Sequence, residues 1–76
     1  MLTFYSRKNC PLCEEAKRML ELVKEDFSVD YQEIDIESDD VLNGKFMLMI
    51  PVVAREDEVL LYGNIGYADL IEALDL

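Results

Sequence analysis

The stretch Tyr5-Ser6-Arg7-Lys8-Asn9-Cys10-Pro11-Leu12-Cys13-Glu14-Glu15-Ala16 decides how the whole chain is read. It starts as the tail of an apolar run carrying Leu2 and Phe4, crosses a short polar link, and turns into a helical pattern. Both cysteines therefore stand where a strand hands over to a helix. Proline is favoured as the first helical residue, where its missing N–H is no loss. With Pro11 in that place Cys10 becomes the N-cap, and the unpaired N–H groups of Leu12 and Cys13 are predicted to point at its sulfur. The positive end of the helix dipole lies there too. Both effects favour thiolate over thiol, so Cys10 is expected to titrate below the ordinary thiol value of about 8.5.

Cys13, one turn in, belongs to the stripe that continues through Ala16, Leu20, Val23 and Phe27, so its thiol is predicted to be shielded while Cys10 stays exposed. One sulfur is placed to attack and the other to resolve. Residues three apart in a helix have Cβ atoms roughly 5–6 Å apart, wider than the roughly 3.5–4.5 Å of a disulfide. A bond between them closes because Cys10 lies at the helix edge, and it should reopen easily. A purely structural staple over so short a ring would contribute only about 2 kcal/mol. Structural zinc needs four ligands, and this chain has two cysteines and no histidine, so only a bridged dimer would complete such a site. The redox reading is favoured. A carrier that binds glutathione or a metal, an iron–sulfur cluster or zinc held between two copies through Cys10, is the alternative from a different class. Cys13 counts against it, since a second thiol competes for the nucleophile. A redox-inactive interaction module is the third.

Seventy-six residues, half of them hydrophobic, suit one domain, residues 1–76, with a modest core. Met1 leads straight into a strand-like run with no basic region, long apolar segment or cleavage site after it, which predicts a cytoplasmic protein. In a reducing compartment a cysteine pair of this spacing is expected to be transient and catalytic. The net charge of −10 argues against nucleic acid and anionic membranes as partners. That charge is uneven. Residues 1–26 carry five basic residues (Arg7, Lys8, Lys17, Arg18, Lys24) and five acidic ones, whereas residues 27–76 carry two basic and twelve acidic. The cysteine-bearing third is thus neutral, on a molecule whose remaining surface repels anions.

The rest of the chain supplies a sheet and its helices. Met1 to Tyr5 reads as a strand, and a helix follows from Pro11 to about Asp26, with Glu14 and Glu15 opposing the dipole and Glu14/Arg18 as an i,i+4 pair. Its apolar face is Ala16, Met19, Leu20 and Val23. Val29 to Ile36 reads as a second strand, although its alternation through Tyr31, Ile34 and Ile36 slips phase. Ser38, followed by Asp39 and Asp40, is read as the start of a short helix carrying Val41, Leu42 and Phe46 despite Gly44. In Met47-Leu48-Met49-Ile50-Pro51-Val52-Val53-Ala54, Pro51 marks a strand's first residue or an edge. Residues 55–57 form a polar turn and Val59 to Tyr62 the last strand of a hairpin. Asn64 or Gly66 opens a final helix with Tyr67, Leu70, Ile71 and Leu74 at helical spacing. The order is β-α-β-α-β-β-α, an α/β domain whose first two strands are parallel with a right-handed crossover, in a mixed four-stranded sheet flanked by helices.

With C-P-L-C at a strand-to-helix turn and Ile50-Pro51-Val52-Val53 before a hairpin, the chain resembles the glutaredoxins of the thioredoxin fold, and more narrowly the short bacterial glutaredoxin-like proteins. The resemblance covers nearly all of the sequence. It implies that Cys10 is the exposed nucleophile and Cys13 the resolving cysteine of a dithiol–disulfide oxidoreductase. It implies a cis Pro51 against the dithiol that leaves the backbone of Ile50 free to pair with a bound peptide; an ordinary trans proline is the alternative. Arg7 falls where glutaredoxins place a lysine that binds the glycine carboxylate of glutathione, although a solvated surface charge fits equally. Lys8 joins it in the local basic cluster. The family's Gly-Gly-x-Asp turn, which holds the glutamyl end of glutathione, is present only as Ile65-Gly66-Tyr67-Ala68-Asp69, and a plain helix start is the competing reading of Gly66 and Asp69. Leu12 stands in place of the common tyrosine, and Met49 and Ile50 in place of threonine and valine. The resemblance implies no permanently bound cofactor and no metal. Protein disulfides are the implied substrates, glutathione the implied co-substrate, and a flavoprotein reductase the other candidate donor.

Overall fold

The structure, a computed structural model, describes all residues from Met1 to Leu76. The opening apolar run becomes strand β1 (Leu2–Ser6), which lies inside a sheet of order β2-β1-β3-β4. Helix α1 (Pro11–Phe27) carries the chain across to β2 (Tyr31–Asp35), parallel to β1 with Leu2 opposite Tyr31 and Ser6 opposite Asp35. A 3-10 turn (Ile36–Ser38) and the short helix α2 (Asp40–Phe46) follow. Strands β3 (Val52–Arg55) and β4 (Glu58–Tyr62) form the antiparallel hairpin, with β3 against β1, and α3 (Tyr67–Ala73) closes the chain. The element order is the one the sequence predicts.

The sheet separates two unequal apolar clusters. Under α1 and α3, ten buried residues pack together: Leu2 and Phe4 of β1, Val53 of β3, Cys13, Ala16, Leu20 and Val23 of α1, and Ile65, Leu70 and Leu74 around α3. On the other face Ile36, Phe46 and Val52 form a cluster of three, with Tyr5, Leu42, Met49, Ile50 and Val59 packed at its margin. Alternation along the strands produces this division, because Phe4 and Val53 face one side while Tyr5 and Val52 face the other.

Several expectations require correction. Phe27 does not extend the buried stripe of α1; it is 44% exposed at the last helical residue, just before the left-handed Ser28 that caps the helix on the Lys24 carbonyl. The stripe outruns the sheet it packs on. Arg18 pairs with Glu15 at 3.7 Å instead of Glu14. The second strand runs only from Tyr31 to Asp35, and Ile36 leaves the ladder for the 3-10 turn, where it is fully buried. The phase slips between Tyr31 and Ile34 because the first stands beside Leu2 and the second beside Tyr5, on opposite faces of the sheet. Asp39, not Ser38, caps α2, its Oδ1 accepting from the N–H of Val41 at 2.8 Å and of Leu42 at 3.3 Å. The hydroxyl of Ser38 instead donates to the Asp35 carbonyl. Pro51 is at neither a sheet edge nor a strand's first residue, since β3 is interior and begins at Val52.

Gly44 sits mid-helix with no left-handed φ, and a Cβ added to it would meet nothing within 4 Å. Relative to alanine it weakens α2 by roughly 0.5–1 kcal/mol.

Candidate active site

The dithiol grows out of a sharp local turn. Asn9 adopts a left-handed conformation, φ 57°, which asparagine tolerates better than most side chains. It swings the chain from the end of β1 into α1. Cys10 follows in extended geometry as the N-cap and Pro11 enters the first turn. The Cys13 N–H donates to Cys10 Sγ at 3.2 Å. Only this amide reaches the sulfur; the Leu12 N–H, expected to share the task, makes no such bond. Cys10 is half-buried and Cys13 is 3% exposed. The two are joined as a disulfide across a Cα–Cα distance of 5.2 Å, within the range such bonds span. The helix end that would favour a thiolate on Cys10 therefore also carries the hidden sulfur beside it.

One further segment packs on the cluster that holds Cys13. The Ile50–Pro51 peptide is cis, and Pro51 is buried. The loop before it is tied down from both ends, since Met49 and Ile50 donate their N–H groups to the Phe46 carbonyl at 2.8 and 3.0 Å, and Gly63 N–H donates to the carbonyls of Met49 and Pro51 at 3.1 and 2.9 Å. The backbone of Ile50 is thus only half free. Its N–H is engaged with Phe46, while no backbone N–H donates to its carbonyl. Ile50 and Cys10 pack against the same ten-residue cluster.

Arg7 and Lys8 are exposed and line a cleft of about 350 Å³ with Ser6, Glu33 and Asp35 at the carboxyl ends of β1 and β2. Neither cation has an ion pair. Both Glu33 oxygens are in use: Oε1 meets Lys17 Nζ at 2.9 Å, and Oε2 accepts from the Ser6 hydroxyl at 3.1 Å. The Glu33 carboxylate, through its hydrogen bond and its charge, raises the Lys17 pKa above the ordinary lysine value. This tie between β1, β2 and α1 was missed in the sequence, although an acid in the middle of a strand and a lysine four residues beyond Cys13 were its traces. Burial first, then the bond to the Glu21 carboxylate, pushes the Tyr31 hydroxyl upward as well.

Gly66 caps α3, and its N–H donates to Asp69 Oδ2 at 2.9 Å. Asp69 thus folds back on the helix start it belongs to. Tyr67 is half-buried, and its hydroxyl donates to Asp26 of α1, a bond that raises its pKa. Leu12 projects from the first turn of α1, 47% exposed.

A half-buried sulfur at a helix start, linked to a hidden one three residues on, is a thiol–disulfide redox centre. Comparison with known proteins agrees. The family model described as Glutaredoxin-like domain (DUF836) matches residues 1–75. Among solved structures, protein XcR50 from X. campestris superposes with a TM-score of 0.85 at 25% identity, over 99% of this chain and 96% of that one. Protein Ne2328 from Nitrosomonas europaea does so with a TM-score of 0.77 at 27% identity, over 96% and 87%. Thioredoxin 1 from Thermosipho africanus TCF52B, at 14% identity and a TM-score of 0.69 over 97% and 89%, shares the fold. None of the curated proteins matches the chain.

Proposed function

The chain belongs to the glutaredoxin-like domain family, and from that membership we propose that it is a glutaredoxin-type oxidoreductase that reduces protein disulfides or glutathione mixed disulfides in the cytoplasm. The observation that carries this reading is the Cys13 N–H donated to Cys10 Sγ at the start of α1, with Cys13 itself buried behind it. In the reduced protein the Cys10 thiolate attacks one sulfur of a substrate disulfide. The substrate S–S bond breaks, its other sulfur leaves as a thiolate and takes a proton from water, and a mixed disulfide remains on Cys10. Cys13, deprotonated, then attacks Cys10 Sγ and expels the second substrate sulfur. Two electrons have passed to substrate, and Cys10–Cys13 is oxidised. With no histidine in the chain, the helix end and the nearby charges of Arg7 and Lys8 must favour the thiolate.

Pro51 shapes the wall against which substrate lies, and the unengaged Ile50 carbonyl is the acceptor for a peptide N–H. Glutathione is the proposed donor of electrons, with Arg7 and Lys8 receiving its carboxylate. Gly66 and Asp69 are the candidates for its glutamyl end, which would have to compete with the Asp69 bond to Gly66. A flavoprotein reductase is the alternative donor, favoured by that closed helix start. The Cys13→Ser variant is expected to accumulate a mixed disulfide and Cys10→Ser to lose exchange altogether; retained exchange in the latter defeats the assignment. Turnover with glutathione and its reductase, set against turnover with a thioredoxin-reductase-type flavoenzyme, identifies the donor.

A further inference from the structure

The outer face of α2 has features that nothing inside the molecule explains. Gly44 lies at its centre without a backbone conformation that needs glycine and with open space where a side chain would stand. The helical turn continues through Met47, so Val41, Gly44, Lys45 and Leu48 share one stripe. Val41 is 76% exposed and Leu48 is 93% exposed. Along the N-terminal rim stand Glu37, Asp39 and Asp40, all exposed and none in an ion pair. Lys45, the one cation here, lies with its ammonium 5.2 Å from the centre of the Phe46 ring. The stripe runs directly into the tied loop at Met49 and Ile50, and Ile50 packs against the cluster that contains Cys13.

We propose that this face docks protein substrates in which the target disulfide lies next to an apolar side chain flanked by lysine or arginine; the proposal deepens the oxidoreductase reading and rests on it. A glycine lets another backbone approach a helix closely, and the apolar residues on either side of it are those a partner would cover. The acidic rim selects the sign of the partner's charge. A second copy of this chain, with its own −10 charge and the same acidic rim, is disfavoured.

The test uses the pre-reduced full chain in single turnover against two cystine-bridged synthetic peptides of equal ring size, one flanked by Leu and Arg, the other by Ser and Glu. Hydroxyethyl disulfide serves as a substrate too small to reach α2. The Leu/Arg peptide is expected to react about tenfold faster than the Ser/Glu peptide, and Leu48→Ser to remove that advantage while leaving the hydroxyethyl disulfide rate unchanged. Gly44→Ala gives the sharper signature, because it should raise the melting temperature while slowing the Leu/Arg peptide several-fold. Equal rates for the two peptides, or a stabilised Gly44→Ala chain with an unchanged peptide rate, would overturn the proposal. So would a concentration-dependent dimer abolished by Leu48→Ser, which would assign the face to a second copy. If even hydroxyethyl disulfide is not reduced, the oxidoreductase reading has failed on its own. The docking proposal is then decided by fluorescence anisotropy with a labelled Leu/Arg peptide carrying serines for cysteines: binding weakened by Leu48→Ser supports it, and no binding ends it.

Discussion

The two faces of the sheet are built to different standards. Under α1 and α3 a ten-residue cluster encloses Cys13, and α1 places four residues of one continuous stripe in it over 17 residues. On the opposite face α2 buries only Phe46, contains a glycine with no packing reason, and turns Val41 and Leu48 to solvent. Buried apolar area provides the stabilisation, so the first face holds the fold and the second has little to spare. The Cys13 sulfur belongs to the first, and the loop that leads into Pro51 packs at the margin of the second.

The contrast can be broken most directly at Phe4, which is buried on the central strand of the larger cluster. Phe4→Ala is expected to cost about 4 kcal/mol, a large share of any small domain's stability, and to melt both faces together in a thermal scan followed by circular dichroism. Ile36→Ala, in the smaller cluster, is expected to cost about 2–3 kcal/mol. Its diagnostic is hydrogen exchange: amides of α2 should lose protection while those of α1 keep theirs, and equal loss in both would show the two faces to be one cooperative unit. Asp39→Ala removes the cap on α2 and should cost about 1 kcal/mol, a fall in melting temperature of roughly 4–8 °C.

The smallest expected effect lies at high pH. Tyr31, Tyr67 and Lys17 all have folded pKa values raised above their ordinary ones. For each, the added stability is fully present below the unfolded pKa, near 10.0 for the tyrosines and 10.5 for the lysine, and is lost as pH rises through the raised folded value. Urea midpoints should therefore fall above pH 10 from this source. Tyr31→Phe should make that fall shallower while changing stability at neutral pH by no more than about 1 kcal/mol. An unchanged alkaline slope would show that neither the burial of the Tyr31 hydroxyl nor its bond to Glu21 contributes.

What the sequence made legible follows the same division. The handover from β1 to α1 was readable because Pro11 and the stripe from Cys13 to Val23 obey local rules of capping and periodicity. Those rules end where tertiary contact takes over. Phe27 kept the period but had no sheet left beneath it. Tyr31 and Ile34 break the alternation because they stand beside Leu2 and Tyr5 on the two faces of the sheet, and Ile36 leaves the strand for the smaller cluster, which periodicity along one strand cannot reveal. Pro51 reads as a strand's first residue or an edge, yet the Phe46 carbonyl holds Met49 and Ile50 in a continued turn before it, and that carbonyl also engages the Ile50 N–H expected to be free. At the site, the N-cap role of Cys10 was visible in three residues. The tie from Ser6 through Glu33 to Lys17 joins three distant segments, and the mid-strand acid and the lysine that mark its ends do not reveal that they meet.

The outermost strand of the parallel pair carries a safeguard of a different kind. Ser6 reaches Glu33, and Gln32 Nε2 reaches Thr3 Oγ1 at 3.2 Å, and these two clasps lie on opposite surfaces of the sheet. Sliding β2 by one position would turn every side chain over and undo both at once. So short a border strand could otherwise drift or recruit a neighbouring molecule; here mispairing forfeits two bonds and presents a misplaced carboxylate to whatever approaches, which discourages fibrous assembly.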